Sequence, residues 1–112
     1  MIIKKDWFLI PALWDKAEEY TEIIWQSEHL RLERIISCGH ISPPDFWYEQ
    51  EEDEWVMVIS GEGAITWDNG EISSLKAGES LLIPRKKKHR VSYTSINPPC
   101  IWLALFAPHK EG

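Results

Sequence analysis

Residues 54–84 read EWVMVISGEGAITWDNGEISSLKAGESLLIP, and they carry the clearest structural signal in the chain. Two apolar, β-branched runs, 55–60 and 64–67, are separated by a glycine-containing turn, which is typical of antiparallel strands. The second run is followed by Asn69 and Gly70, and these two residue types tolerate the positive φ angles of a tight hairpin. The stretch therefore predicts a series of short strands joined by tight turns.

The sequence on both sides of this stretch continues the pattern. Apolar and charged residues alternate over 30–33, and two further strands are predicted near 90–94 and 101–106, separated by the loop at 97–99. About seven short strands with Gly and Pro turns indicate an all-β sandwich or a closed barrel.

A helix is predicted only near the N-terminus, over residues 12–26. Asp15 is a suitable capping residue, and Tyr20, Ile23 and Ile24 fall on one face of such a helix. We therefore expect one domain over residues 1–112. Its barrel core covers about 28–107, and residues 1–27 form an N-terminal extension with a short helix.

Charge and composition exclude several classes of partner. The chain of 112 residues has a formal net charge of −6, which argues against nucleic acid or an anionic membrane as its partner. We see no transmembrane run and no signal peptide, so we expect a cytoplasmic protein. Cys38 and Cys100 do not form a CxxC unit, and we expect both to be free thiols.

Four polar residues are candidates for a site. Tyr48, Gln50 and Glu54 are separated by even steps, so in an extended segment they project from one face, and His89 follows a later strand. A carboxylate, an imidazole and an amide oxygen can hold a divalent ion such as Zn, Mn, Fe or Ni. The same residues can equally be hydrogen-bonded in a wet pocket that holds no metal.

At this point the spacing resembles a known family. Glu54 followed by Gly61 is similar to the end of the first cupin motif, G-x5-H-x-H-x3-E-x6-G. Gly78, Pro84 and His89 are similar to the second, G-x5-P-x-G-x2-H-x3-N. The resemblance covers roughly residues 35–106. It implies a double-stranded β-helix, or jelly-roll barrel, with its site inside.

The chain departs from both motifs. In this it resembles small bacterial cupins whose metal-binding motif is also substituted. Aligned on Glu54, the two family histidines fall on Tyr48 and Gln50, and the second motif has Lys86 in place of glycine and Tyr93 in place of asparagine. Only two of the four usual metal ligands remain.

The resemblance leaves two functions open. In the first, Gln50, Glu54 and His89 hold the metal with Tyr48 as a further ligand, while Tyr48, Glu54 and His89 are also the candidates for acid–base catalysis. In the second, the barrel binds a small molecule without a metal and without turnover. Four tryptophans would then form the pocket walls: Trp47, Trp55, Trp67 and Trp102.

Two further expectations concern partners. The basic run at residues 85–90 suggests an anionic small-molecule ligand, although the acidic run at 49–54 could neutralise it. The resemblance to small cupins also implies a homodimer, because a short barrel leaves sheet edges and apolar surface to cover.

Overall fold

The computed structural model describes residues 4–110. Its strands form two antiparallel sheets, ordered β1-β2-β8-β3-β6 and β5-β4-β7. The eight strands are β1 Tyr20–Gln26, β2 Arg31–Ser37, β3 Glu52–Ser60, β4 Glu62–Trp67, β5 Ile72–Lys76, β6 Ser80–Ile83, β7 His89–Thr94 and β8 Cys100–Pro108. The predicted all-β jelly-roll architecture is confirmed. Within residues 4–110, no helix is long and apolar enough to cross a membrane.

The predicted helix over residues 12–26 is wrong. The second half of this segment is strand β1, which pairs with β2 from Tyr20 opposite Ile36 to Gln26 opposite Arg31. Its aromatic and β-branched residues favour a strand, and cross-strand pairing overrides the helical spacing that they also satisfy. The Asp15 carboxylate does accept a hydrogen bond, from the Ala17 N–H at 3.0 Å, but it closes only a local turn.

The core lies between the two sheets. Along β3, Val56 and Val58 point inward and are buried, while their neighbours Trp55 and Met57 alternate with them and are less buried. The central cluster draws on both sheets and consists of Val56, Val58, Ile65, Leu75, Ile83, Cys100 and Trp102. This packing fixes which residues of β3 face the interior.

Gly63 allows the Trp102 indole to pack between the sheets. A Cβ atom at Gly63 would lie 2.3 Å from one ring carbon of Trp102 and 2.4 Å from another, closer than any real contact. The Trp102 Nε1–H donates a hydrogen bond to Ser37 Oγ at 3.3 Å, which fixes the orientation of the ring. The indole can therefore occupy this position only beside a glycine.

The first prediction follows from this contact. Gly63→Ala should lower the free energy of unfolding by about 1–3 kcal/mol, because the added methyl group overpacks the core against a ring held by a hydrogen bond. Chemical denaturation measures the change. Gly70→Ala is the control, since nothing lies within 4 Å of its Cβ position and only its positive φ is strained. A loss for Gly63→Ala no larger than that for Gly70→Ala would contradict the packing described.

The outer face of the five-stranded sheet carries a row of large apolar residues. Leu105 pairs with Leu32 on one side and with Trp55 on the other, and Trp55 pairs in turn with Leu82. Leu82, on the edge strand, is 62% exposed. Elsewhere this face is covered by the segment before β1. The Arg34 guanidinium holds this segment by donating a hydrogen bond to the Leu9 carbonyl at 2.6 Å.

Candidate functional site

The segment that precedes β3 lies along β7 and positions two of the candidate side chains. The Tyr48 N–H donates to the His89 carbonyl at 2.8 Å, and the His89 N–H donates back to the Tyr48 carbonyl at 3.1 Å. Two residues further on, the Gln50 carbonyl accepts from the Lys86 N–H at 2.6 Å. These bonds join backbone to backbone, so they do not depend on the side chains involved. They hold Tyr48 beside His89 and Gln50 beside Lys86, three residues before His89.

A cavity of about 230 Å³ opens inside the barrel at this point. Its apolar walls come from Ile35, Val56, Ile65, Ile83, Val91, Trp102 and Phe106. Its polar lining consists of Glu19, Thr21, Glu33, Tyr48, Gln50, Glu54 and His89. The structure therefore brings all four predicted polar residues to one cavity.

Glu54 and His89 form the most buried polar pair in this lining. Their side chains are 13% and 4% exposed, and Glu54 Oε1 lies 3.8 Å from His89 Nε2. Gln50 Nε2 donates a hydrogen bond to the same Glu54 oxygen at 3.0 Å. The separation of Glu54 and His89 exceeds a direct hydrogen bond, yet one ligand atom or water can hydrogen-bond to both.

The backbone fixes the tautomer of His89. His89 Nδ1 lies 2.8 Å from the Lys87 carbonyl, which can only accept, so Nδ1 carries the proton. Burial lowers the pKa of His89, although the bond to Lys87 opposes this, so the ring is neutral at pH 7. The lone pair of Nε2 therefore faces Glu54.

The carboxyl group of Glu54 has a raised pKa. Burial raises its pKa to about 7, the hydrogen bond from Gln50 opposes that rise, and the charge of Glu33 adds to it. The carboxyl group is thus close to half protonated at neutral pH, so it can both donate and accept a proton. Burial also raises the pKa of the Tyr48 phenol, with further contributions from Glu19 and Glu54, which keeps this hydroxyl protonated.

Of the four predicted tryptophans, only Trp102 lines the cavity. Trp55 follows Glu54 directly in β3 and therefore lies on the outer face. Trp67 lies behind the site, with its ring centroid 6.1 Å from that of His89 and its Nε1–H donating to Ser73. Trp47 is on the preceding segment and is 37% exposed.

His40, which precedes the first motif, takes no part in this lining. Its Nδ1 accepts from the Cys38 N–H at 2.8 Å, and its Nε2 donates to the Lys16 carbonyl at 2.8 Å. Both ring nitrogens therefore tie loops together, and His40 is a hydrogen-bonded loop residue.

Three polar residues of the lining were missed by the sequence interpretation, namely Glu19, Thr21 and Glu33. Glu33 could have been found, because it lies two positions before Ile35 in β2 and therefore on the same inward face. Glu19 and Thr21 gave no such signal, since both fall in the segment that was interpreted as a helix.

The sequence matches a known protein family. Residues 35–106 match the family described as Cupin domain, which is well over half of the chain. The chain belongs to the cupin superfamily. Members of this superfamily often bind metals and small ligands. No curated protein matches the sequence.

Solved structures agree with this assignment. A proposed mannose-6-phosphate isomerase from Ralstonia eutropha JMP134 is 32% identical, with a TM-score of 0.89 over 96% of this chain and 100% of that one. An RmlC-like cupin from Desulfovibrio desulfuricans is 20% identical, with a TM-score of 0.74 over 96% and 98% of the two chains. A cupin superfamily protein from Desulfitobacterium hafniense DCB-2 is 16% identical, with a TM-score of 0.72 over 87% and 84%. The last two support the fold alone.

The donor set of this cupin fits a divalent metal poorly. Within residues 4–110, no three His, Cys, Asp or Glu side chains come close enough to hold one ion. In the described lining of the cavity, Glu54 and His89 are the two strong donors that come together, Gln50 directs its amide nitrogen at Glu54, and the Tyr48 phenol stays protonated. Transition metals in proteins ordinarily require three or four ligands.

The prediction from this site concerns pH. A carboxyl group whose pKa rises from 4.5 to about 7 on folding stabilises the protein below pH 4.5, and that contribution of about 3 kcal/mol is lost as pH rises through 7. Glu54→Gln cannot titrate, so its free energy of unfolding relative to the wild type should increase by up to about 3 kcal/mol between pH 5 and pH 8. Denaturation at a series of pH values, with a chelator present, measures this difference.

The matched control is Glu71→Gln, which removes an exposed carboxylate beside the hairpin turn. Its difference from the wild type should stay the same across this pH range. A Glu54→Gln difference that is equally independent of pH would show that Glu54 is not buried as described.

Proposed function

We propose that this cupin binds a small molecule in the barrel cavity and exchanges a proton with it through Glu54 and His89, without a metal. The observation that carries the proposal is the Glu54 carboxyl group, with a pKa of about 7, lying 3.8 Å from the unprotonated Nε2 of His89. A general acid or base works best when its pKa is near the working pH. Tyr48, whose ring stacks on His89 at 5.6 Å between centroids, is a second proton donor at the same position.

The size of the cavity restricts the ligand. Pockets for drug-sized ligands have volumes of about 300–1,000 Å³. The present cavity of about 230 Å³ suits something smaller. Its apolar walls would hold the skeleton of the ligand, while Glu54, His89 and Tyr48 would face its reactive group.

An anionic ligand, such as the sugar phosphate named for the Ralstonia relative, has no lysine or arginine partner in the described lining. Among the residues that the structure describes, three glutamates and no lysine or arginine line the cavity. The basic run instead points to acidic residues outside it: Lys87 lies 3.5 Å from Asp68, Lys88 lies 3.9 Å from Glu49, and Lys86 lies 4.0 Å from Glu51. Two lysines of the basic run thus face the acidic run, and the third faces Asp68.

A divalent ion held by Gln50, Glu54 and His89 is the second candidate. It is favoured by one observation, since Glu54 Oε1 and His89 Nε2 face the same space at 3.8 Å, close to the separation of two ligands of one ion. The remaining positions would have to be filled by Gln50 and by water or a bound small molecule.

Elemental analysis separates these two functions. Protein purified without chelator should contain well below one equivalent of Zn, Mn, Fe or Ni, and the content should be the same in Glu54→Gln and in the control Glu71→Gln, because two strong donors hold such ions weakly. One ion per chain in the wild type and in Glu71→Gln, lost in Glu54→Gln together with thermal stability, would establish the metal site instead.

We also propose that the chain is a cytoplasmic homodimer. Free thiols at Cys38 and Cys100 suit a reducing compartment. The apolar row formed by Leu32, Leu105, Trp55 and Leu82 suits a face that a second copy covers.

The oligomeric state is tested by light scattering. The wild type should have twice the chain mass of 13.1 kDa, and Leu82→Glu, which places a charge in the exposed part of the apolar row, should halve it. The control is Ile72→Glu, which places the same charge at an exposed apolar position of the other sheet and should remain dimeric. A wild type that scatters as a single chain would overturn the proposal.

A further inference from the structure

The cavity is rich in hydrogen-bond acceptors and poor in donors. The carboxylates of Glu19, Glu33 and Glu54 all line it, and a carboxylate only accepts when ionised. The Gln50 amide, which could donate, is already directed at Glu54. The Tyr48 phenol and the Thr21 hydroxyl are the remaining donors of the lining.

The negative charge of this lining is only partly compensated. The guanidinium of Arg31 lies beside the cavity, 2.6 Å from Glu33 and 3.3 Å from Glu52, so two carboxylates share it. Among residues 4–110, no lysine or arginine forms an ion pair with Glu19 or Glu54, although the charge of Arg31 acts on Glu54 from further away. The hydroxyl of Ser37 donates to Glu19, which satisfies one of its oxygens without cancelling its charge.

A second observation, independent of the carboxylates, also indicates a ligand that donates. The His89 side chain is 4% exposed, and within the part of the chain described, its Nε2 forms no hydrogen bond. The backbone bond to Lys87 keeps the proton on Nδ1, so Nε2 can only accept. His89 lines the cavity, so a ligand N–H can reach this nitrogen and donate a hydrogen bond to it.

We propose that the ligand of this cavity is a small organic cation, a primary ammonium or amidinium group on an apolar skeleton. This inference rests on the proposed function, because it concerns the same cavity. The cationic group would lie among Glu19, Glu54 and His89 Nε2, and the skeleton would contact the apolar walls, including Trp102 and Phe106.

An organic cation fits this arrangement better than a metal ion. The three carboxylates come from different walls, namely the segment before β1, strand β2 and strand β3. A metal ion needs its ligands at about 2.0–2.6 Å, whereas an ammonium group donates hydrogen bonds at about 2.7–3.2 Å and can interact with charges further away. No three acidic or histidine side chains of residues 4–110 meet closely enough for an ion.

The test compares three probes that share one skeleton, namely cyclohexylammonium, cyclohexanol and cyclohexanecarboxylate. Binding is followed by NMR titration at pH 8 with a chelator present, using the indole N–H of Trp102 as the reporter of the cavity. Cyclohexylammonium should bind at least about tenfold more tightly than cyclohexanol, and cyclohexanecarboxylate should bind least, because a partly buried charge interacts strongly with its opposite charge. Propylammonium, 1-propanol and propionate form a second series, in case the ring is too large.

Glu19→Gln is the informative variant, since glutamine keeps an acceptor for Ser37 and removes the charge. It should weaken ammonium binding several-fold and leave alcohol binding unchanged, while Glu71→Gln should change neither. If the alcohol or the carboxylate binds as tightly as the ammonium in both series, the inference is wrong and the proposed small-molecule pocket stands. If no probe of either series shifts the Trp102 resonance, the proposed pocket falls with it.

Discussion

Side-chain alternation along β3 forces a carboxyl group into an apolar barrel. Val56 and Val58 belong to the core, and Glu54 precedes them on the same face, so Glu54 cannot turn outward unless the strand shifts its register against β6 and β8. Such a shift would expose the two valines. The cost of burying Glu54 is therefore imposed by the fold, and the unusual acidity at the site follows from it.

The surroundings of Glu54 reduce this cost without removing it. Gln50 donates one hydrogen bond, and His89 is held in the tautomer that presents a lone pair. Both residues are positioned by backbone hydrogen bonds between the segment before β3 and the elements around β7. Lys86 takes part with a φ of 62°, at the position where the cupin motif has glycine. A residue with a side chain costs about 1–2 kcal/mol in this conformation. The turn at Lys86 thus keeps the left-handed conformation of the motif glycine at that cost.

Much of this arrangement could be predicted from the sequence. Turn residues and alternation located seven strands, and the motif spacing grouped Tyr48, Gln50, Glu54 and His89, because spacing in a barrel determines which residues face inward. The first strand was not predicted, since Tyr20, Ile23 and Ile24 satisfy a helical spacing and a strand equally well, and pairing with β2 decides between them. The acidic character of the cavity was also missed, because Glu19 lies in that same segment and Glu33 was not recognised as an inward-facing residue of β2.

The basic run illustrates a different limit. The basic run at 85–90 suggested an anionic ligand, but sequence alone does not show which way charged side chains point. In the structure three lysines of the run face acidic residues outside the barrel, and the cavity retains uncompensated carboxylates. Local charge in the sequence and charge inside the site thus have opposite signs.

The central claim is that a buried, half-protonated Glu54 shares the cavity with an unprotonated His89 nitrogen. The most direct measurement is an NMR titration of the Glu54 side-chain carboxyl carbon in the metal-free protein, with assignment confirmed by the loss of the signal in Glu54→Gln. We expect a midpoint at about pH 7, well above the ordinary value of 4.5. A midpoint at or below 4.5 would contradict it.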